Sequence, residues 1–467
     1  MKKLEINMEN FMRLAGNKKI IAYGAGSALY KALFEFQVVK EMYAYDWTND
    51  LFIVKENKEK FIDIYSKIEF VVDSNIGKWG NHINILGNKL EIKSPESLFF
   101  LDYNKYILFI ASTYSEDIVN SLEKIDVLSD LEYVITSQFF KEGYNKKTIG
   151  YYYQKVFRPV IQEYMCSINI TEEININMVR KCIDVLNKII KSNNVIIPSI
   201  GFKVTTKCTL KCKNCIDLVP YLKHRDIPVE IVLNDIGLIL DNVSKIYFVH
   251  LVTGETLLYP YLDQILKKLV ESDKVEKIGI TTNGTTLPYN KNAIQYLQSP
   301  KVEVGVSDYG DIMGITRIVD FCEKNLIKVT VVEQQKWMDT GRYPEKRNKS
   351  AKDLKYEFDH CYLVQDCPKI IANGKLYACG KTEKFVDLGE YKDTHDYSDL
   401  TVYSGIELKK KIYEMYFCDY LESCDMCDTF SDAITGGNKN WVLAGKQKEG
   451  FKQIERSSFT LHKRDTL

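Results

Sequence analysis

The feature that most constrains the fold is a regular alternation of strand and helix patterns that begins near residue 198. Strand-type apolar runs occupy residues 200–206, 245–252, 277–282, 302–307 and 327–333. Helical periods lie between them at 229–243, 261–271, 291–298 and 315–324. Strand and helix repeated in this way predict an α/β fold with a parallel sheet and right-handed crossovers. Five such strands fit a partial or full barrel better than an antiparallel sandwich.

A second α/β pattern covers residues 1–145 and contains a glycine-rich turn. Gly24 and Gly26 lie between an apolar strand and a helical period, and Asp73 ends the next predicted strand. Two glycines before a helix allow a phosphate to approach the helix amino terminus, so these three residues are candidates for nucleotide binding. Leu29 stands where the dinucleotide fingerprint has its third glycine. A turn that serves only helix–strand packing therefore remains the alternative.

Composition narrows the class of protein. The 467 residues suggest two or three domains, and 63 basic against 63 acidic side chains give no reason to expect nucleic acid as a partner. No apolar run approaches the roughly 20 residues that span a bilayer, and no signal peptide is recognisable, so we expect a cytoplasmic protein without membrane contact. Twelve cysteines in a reducing compartment indicate metal ligands or reactive thiols.

The first group of cysteines follows the first strand of the βα series. Cys208, Cys212 and Cys215 are spaced as Cys-x3-Cys-x2-Cys on one short loop. Three thiolates can each bind one iron of a cubane and leave the fourth iron open for a small molecule. A zinc site or a redox loop could use the same cysteines, and this alternative stays open on spacing alone.

This cysteine spacing resembles the signature of the radical S-adenosylmethionine (radical SAM) superfamily, and further matches follow in order. Thr253–Thr256 resembles the family's Gly-Gly-Glu-Pro motif, Thr281–Gly284 its Thr-Asn-Gly turn, and Ser307-Asp308 its fourth strand end. The resemblance covers roughly residues 198–335. Two departures from the family pattern are present. Thr253 and Thr256 stand where the Gly-Gly-Glu-Pro motif has its first glycine and its proline, and Asn214 stands where an aromatic residue usually precedes the third cysteine.

The resemblance implies a (β/α)6-type partial barrel with SAM at the carboxyl ends of its strands. It implies that the triad holds a 4Fe–4S cluster, whose open iron binds the methionine part of SAM. Electron transfer then releases a 5′-deoxyadenosyl radical that abstracts hydrogen from the substrate. The residues that it places around SAM are Thr253, Gly254, Glu255, Thr282, Asn283, Ser307 and Asp308.

A second cysteine group lies near the carboxyl end of the chain. Its members are Cys361, Cys367, Cys379, Cys418, Cys424 and Cys427. With Gly374 five residues before Cys379, inside a predicted hairpin over 369–379, the group resembles the SPASM or Twitch extensions that enclose an auxiliary 4Fe–4S cluster. A single auxiliary cluster needs four thiolates. We expect Cys361, Cys379, Cys424 and Cys427 as its ligands.

Two members of the group are left over. Cys367 and Cys418 are alternate ligands, and either could donate a hydrogen atom to a substrate radical. A structural zinc site would suit the same pairs of cysteines.

The first 145 residues resemble the small Rossmann-like modules found beside glycosyltransferases, methyltransferases and nucleotide-sugar enzymes. The shared segments are Asp-Ser-Asn-x2-Lys-Trp-Gly at 73–80 and Ser94-Pro95-Glu96. The expected domains are a Rossmann-like unit at 1–145, a helical connector at 146–197, a radical SAM barrel at 198–350, and a SPASM- or Twitch-like domain with a tail at 351–467.

The expected function is a radical SAM oxidoreductase or epimerase that acts on a C–H centre of a sugar or nucleotide-sugar. Its partners would be that small-molecule substrate and a reductant such as flavodoxin or ferredoxin. One alternative is a maturase that oxidises or cross-links a ribosomally made peptide. Another, from a different class, is a non-catalytic zinc-binding interaction protein.

Overall fold

The chain forms two compact units, Met1–Asn194 and Val195–Leu467. The computed structural model describes residues 1–4, 6, 10, 11, 14, 15, 17–42, 64–136, 139, 153–168, 170, 174–310, 315–333, 336–338, 344–365, 367–392, 395–427 and 441–446. The predicted carboxyl-terminal tail beyond 446 lies outside them. In the described part of the chain, no helix has the length and apolar character needed to cross a membrane.

The first unit contains a seven-stranded sheet. Its strands are β1 Lys2–Lys3, β2 Lys19–Tyr23, β3 Ile68–Val72, β4 His82–Ile85, β5 Asn88–Lys93, β6 Tyr106–Ile110 and β7 Glu132–Ile135. They lie in the order β1-β7-β6-β2-β3-β5-β4, and every neighbouring pair is parallel except the β4–β5 hairpin. The helices are α1 Ser27–Met42, α2 Ser115–Leu122, α3 Arg158–Ser167 and α4 Ile176–Lys191.

Helix α1 explains how the glycine turn is held in place. The helix begins directly after Gly26, and eleven of its 16 residues are buried, from Leu29 to Met42. Phe36 packs against Phe109 of β6 with ring centroids 5.6 Å apart. The helix therefore starts at a fixed position above the carboxyl end of β2, which is the edge at which parallel sheets bind ligands.

The second unit contains an eight-stranded sheet and a separate strand pair. Its strands are β8 Ile196–Lys203, β9 Lys245–Val252, β10 Val275–Thr282, β11 Val302–Asp308, β12 Val329–Glu333, β13 Lys336–Met338, β14 Lys369–Ala372, β15 Lys375–Tyr377, β16 Tyr397–Asp399 and β17 Trp441–Leu443. The order in the large sheet is β12-β11-β10-β9-β8-β14-β15-β16, and β13 pairs antiparallel with β17.

Helices lie between the strands of the second unit, as its sequence pattern predicts. They are α5 Val229–Asn242, α6 Leu262–Val270, α7 Ile294–Leu297, α8 Thr316–Lys324, α9 Ala351–His360, α10 Tyr362–Gln365, α11 Gly380–Asp387 and α12 Gly405–Tyr416. Strands β8 to β12 are parallel throughout. Both large sheets are therefore mainly parallel, with helical crossovers, and the fold is α/β.

The cysteine-rich region is joined to this sheet. Strand β14 pairs parallel with β8, Lys369 lying opposite Ile200, and β15 and β16 extend the sheet as antiparallel strands. Gly201 leaves room for the Ile370 side chain, since a Cβ there would lie 2.5 Å from the end of that side chain and would require it to shift. The sequence predicts the β14–β15 hairpin but not its place beside β8.

The turn of that hairpin is fixed by a buried carboxylate. Asn373 and Gly374 both have positive φ, as a two-residue hairpin turn requires. Asp235 of α5 accepts hydrogen bonds from the backbone N–H groups of Asn373, at 2.8 Å, and Gly374, at 2.6 Å. Burial raises the pKa of Asp235 to about 6, although these two hydrogen bonds oppose the shift.

Candidate active site

The three cysteines of the first group lie together after the carboxyl end of β8. Cys208, Cys212 and Cys215 pack with Leu210 and Tyr309 in one small cluster. Burial raises the pKa of Cys215 to about 11, and backbone N–H groups of Asp217 and Val219 donate hydrogen bonds that oppose this rise. N–H groups directed at a sulfur favour its thiolate form, which is the form that binds metal.

The turn after β9 approaches the cysteine loop closely. Thr253 and Gly254 have φ angles of +74° and +67°. A Cβ on Gly254 would collide with the carbonyl oxygen of Lys207 and lie 2.9 Å from that of Thr205, so this position requires glycine. The N–H of Glu255 donates to the carbonyl of Lys207 at 2.7 Å. The turn thereby places the Glu255 side chain beside the cysteine loop.

Glu255 is the centre of a buried hydrogen-bond network. Its carboxylate accepts from the N–H of Asn283 at 2.9 Å and from the N–H of Leu257 at 3.2 Å. The amide of Asn283 donates to the hydroxyl of Thr209 at 3.0 Å and to the sulfur of Cys208 at 3.5 Å. Burial raises the pKa of Glu255 to about 7. The ends of β9 and β10 and the cysteine loop are therefore held as one assembly.

A cavity of about 430 Å³ opens at this assembly. Of the residues predicted to contact the first cluster or SAM, eight line it: Cys208, Cys212, Cys215, Thr253, Gly254, Glu255, Asn283 and Ser307. Thr282 lies behind the wall, and its hydroxyl accepts from the N–H of Gly284 at 3.0 Å. Asp308 accepts from the N–H of Gly310 at 3.0 Å. These two side chains stabilise the turns next to the cavity.

The cavity also has walls that the motifs do not predict. His250 lies on β9 and stacks on Phe248, with ring centroids 4.3 Å apart. Burial lowers the pKa of His250 to about 4, so its imidazole is neutral near pH 7. Tyr309 directly follows Ser307-Asp308, and its position at a strand end is the signal that would have identified it. Lys381 and Asp217 complete the charged part of the wall.

The second cysteine group meets the first at this cavity. Cys367 and Cys379 line it together with the triad. Burial raises the pKa of Cys424 well above its ordinary value, and the neighbouring charges of Cys379, Cys427 and Cys361 raise it further. The four predicted auxiliary ligands therefore lie close together.

Local hydrogen bonds fix the positions of these cysteines and their loops. The sulfur of Cys379 accepts from the N–H groups of Lys381 and Thr382 at the start of α11, and that of Cys361 from two N–H groups of α10. The ammonium of Lys349 bonds the carbonyls of Cys424 at 3.0 Å and Cys427 at 2.7 Å, which fixes the Cys-x2-Cys loop. The thiol of Cys418 lies 3.8 Å from the carbonyl of Met415.

The donor set fits iron–sulfur clusters. Three thiols lie at the first location and four at the second, and N–H groups favour the thiolate form of several of them. Among the residues that the structure describes, no three His, Cys, Asp or Glu side chains converge on a point that would hold a single metal ion. Three thiolates suit a cubane with one open iron, and four thiolates suit a cubane whose irons are all bound by the protein.

In the first unit, the structure brings Asp73 to the glycine turn. Gly24 has a φ of +106°, and a Cβ there would lie 2.6 Å from the carbonyl oxygen of Ala111, whereas a Cβ on Gly26 would meet open space. The Asp73 carboxylate accepts from the N–H of Ala25 at 2.7 Å and from the ammonium of Lys78 at 3.0 Å. Burial raises the pKa of Asp73, but its hydrogen bonds outweigh burial and hold the pKa below the ordinary value.

Comparison with known proteins gives structural neighbours only. No family model matches the chain, and no curated protein matches it. anSMEcpe, solved with AdoMet and the Cp18Cys peptide, is 15% identical over 49% of this chain and 90% of its own, with a TM-score of 0.30. BtrN, solved with AdoMet and 2-DOIA, is 15% identical over 56% of this chain and 98% of its own, with a TM-score of 0.31.

SuiB from Streptococcus suis is 14% identical over 73% of this chain and 88% of its own, with a TM-score of 0.29. Because these TM-scores are low, the likeness by itself assigns no activity to this chain. The solved structures that the chain resembles are radical SAM enzymes of the SPASM and Twitch type.

Proposed function

We propose that the chain is a radical SAM enzyme whose cavity holds SAM against a 4Fe–4S cluster on Cys208, Cys212 and Cys215. One observation carries this proposal: the triad loop and the turns after β9 and β10 are joined by hydrogen bonds around a single cavity. The cavity lies at the carboxyl ends of parallel strands, where α/β proteins bind their ligands.

Each residue of the assembly has a role in that function. When bound, the cluster and SAM supply a carbon-centred radical that takes a hydrogen atom from the substrate. Glu255 would accept hydrogen bonds from the SAM amino group, and Asn283 fixes the orientation of that carboxylate through its own N–H. The apolar wall formed by Leu251, Leu363 and Ile370 excludes water from the reacting atoms.

We assign the auxiliary 4Fe–4S cluster to Cys361, Cys379, Cys424 and Cys427. Anaerobically purified protein should then be brown and contain about eight irons per chain, from two clusters of four. Stoichiometric zinc with little iron after anaerobic reconstitution would instead favour the non-catalytic zinc-binding protein. The iron and zinc contents of the purified protein therefore test both cluster assignments at once.

Of the two remaining cysteines, Cys367 suits hydrogen donation. It lines the cavity, whereas Cys418 is absent from the described residues that do so. A thiol there can give its hydrogen atom to a substrate radical, and the thiyl radical left on Cys367 needs one electron and one proton from an external reductant such as flavodoxin or ferredoxin. Cys367→Ser should then stop an epimerisation without stopping SAM cleavage. Cys418→Ser should leave both the epimerisation and SAM cleavage intact.

For the substrate, we propose a sugar or nucleotide-sugar. Support comes from the first unit, in which a glycine turn precedes a buried helix at the carboxyl edge of a parallel sheet. A ribosomally made peptide is the alternative. Turnover assays that offer nucleoside diphosphate sugars and candidate precursor peptides to the reconstituted enzyme separate the two classes.

A further inference from the structure

Lys381 lies where the two cysteine groups meet. It is the second residue of α11 and follows Cys379 by two positions. Only 5% of the residue is exposed, yet it lines the cavity together with Cys215 of the triad and Cys379 of the second group. A buried ammonium is costly unless negative charge lies close to it.

The negative groups around Lys381 come mainly from the cysteines. Burial holds the pKa of Lys381 below its ordinary value, and the neighbouring Cys427, Cys215, Cys379 and Asp217 oppose that shift. Its ammonium also lies 5.8 Å from the ring centre of Phe385. Because Lys381 lines the same cavity as Cys215 and Cys379, it lies near thiols of both groups.

Of the other buried cations nearby, Lys369 donates to the carbonyl of Val364 at 2.9 Å, and two more are engaged in ion pairs with carboxylates. Lys203 contacts Glu383 at 2.7 Å and Asp387 at 2.6 Å. Lys384 contacts Glu383 at 2.6 Å and Asp217 at 3.4 Å. The pairs of Lys203 hold α11 against β8, the contact of Lys384 with Asp217 ties α11 to the loop after the triad, and both thereby hold Lys381 at the cavity wall.

We propose that the ammonium of Lys381 is shared by both iron–sulfur clusters and raises the reduction potential of each. A positive charge stabilises the additional negative charge that a cluster gains on reduction, and it does so strongly where water is excluded. The second cluster should respond more, because its ligand Cys379 precedes Lys381 by only two residues at the start of the same helix. This inference rests on the proposed function.

The test is a redox titration of the reconstituted full-length enzyme, followed by electron paramagnetic resonance. Lys381→Met should shift the midpoint potentials of both clusters to more negative values, with the larger shift at the auxiliary cluster. Lys381→Arg retains the charge and should stay near the wild-type values. The matched control is Lys223→Met, which removes one charge from an exposed lysine in the triad loop and should shift neither potential.

The possible results are distinguishable. Unchanged potentials in a Lys381→Met enzyme that carries both clusters would overturn the role of the lysine and leave the proposed function intact. A wild-type protein without iron–sulfur clusters would overturn both. If the Met variant loses iron, Lys381→Gln provides the same removal of charge in a polar side chain. Loss of iron from the Met, Gln and Arg variants alike would contradict an electrostatic role, since Arg keeps the charge.

Discussion

Glu255 accepts a hydrogen bond of 2.9 Å from the backbone N–H of Asn283, although the two residues lie 28 positions apart in the chain. The contact joins the turn after β9 to the turn after β10, and Asn283 in turn contacts Cys208. A carboxylate fixed in this way, beside three cysteines in a cavity, is prepared to receive a cationic group of a ligand.

Replacing Glu255 by Gln tests that role. The variant keeps the shape of the side chain and removes its charge, so SAM should bind about tenfold more weakly, as expected when a charge-assisted hydrogen bond becomes neutral. Iron content should not change, because Glu255 ligates no iron in this account. Titration calorimetry with the reconstituted enzyme measures the affinity, and an unchanged value would show that Glu255 does not contact SAM.

Thr253 gives a second prediction, because its backbone is strained and its hydroxyl is unsatisfied. A β-branched residue rarely adopts a φ of +74°, and the Oγ1 atom is buried without a hydrogen-bond partner in the described structure. Thr253→Gly should raise the free energy of unfolding by about 1 kcal/mol, since glycine tolerates this conformation.

If the hydroxyl binds SAM, the same Gly variant should also bind SAM less tightly, while Thr253→Ser keeps the affinity. Thermal unfolding without SAM and calorimetry with SAM measure the two effects separately. If Thr253→Gly is less stable than the wild type, the backbone of Thr253 is not strained. If Thr253→Gly and the wild type bind SAM equally well, the Thr253 hydroxyl does not contact SAM.

Much of this site is predictable because its signals are local. The positions of β8 to β12 follow from apolar runs between helical periods, and cysteine spacing and strand-end turns single out the triad, Glu255 and Asn283. Each of these signals lies within a few consecutive residues.

The remaining features depend on contacts between distant parts of the chain. The pairing of β14 with β8 brings Cys379 and Lys381 to the triad, and no pattern within either segment specifies that pairing. The hydrogen bond from the backbone N–H of Ala25 to Asp73 is equally unpredictable from sequence, because the two residues are separated by 48 positions.

Glu35 provides a prediction on pH. Burial raises its pKa from 4.5 to about 7 in the folded state, and Arg158 opposes the shift. Between these two values the folded chain binds the proton and the unfolded chain does not, so stability is lost as the pH rises through this range, by roughly 3 kcal/mol in total. Glu35→Gln should remove this dependence.

The measurement is the unfolding temperature of wild type and Glu35→Gln at pH 5 and pH 8. At pH 8 the Gln variant should have the higher unfolding temperature relative to the wild type. Stability of the wild type relative to the variant should fall between pH 5 and pH 8. If it does not fall, Glu35 is not buried in its protonated form.

The two glycines of the first unit make a matched pair. Gly26→Val should fold, because the added side chain meets open space, and should abolish nucleotide binding if a phosphate occupies that space. Gly24→Val should destabilise the first unit, because the new side chain would collide with the carbonyl of Ala111 and because Gly24 has a positive φ. Thermal shifts of the full-length protein with nucleoside diphosphate sugars test both variants. If no nucleotide at millimolar concentration changes the unfolding temperature of the wild type, the glycine turn has only a structural role.

The most direct measurement of the central claim is reductive cleavage of SAM by a variant in which Cys208, Cys212 and Cys215 are all replaced by Ala. With dithionite under anaerobic conditions, the wild type should convert SAM to 5′-deoxyadenosine. The triple variant should form none, and should retain about four irons at the auxiliary site. If the triple variant still produces 5′-deoxyadenosine at the wild-type rate, the triad is not the site at which this protein cleaves SAM.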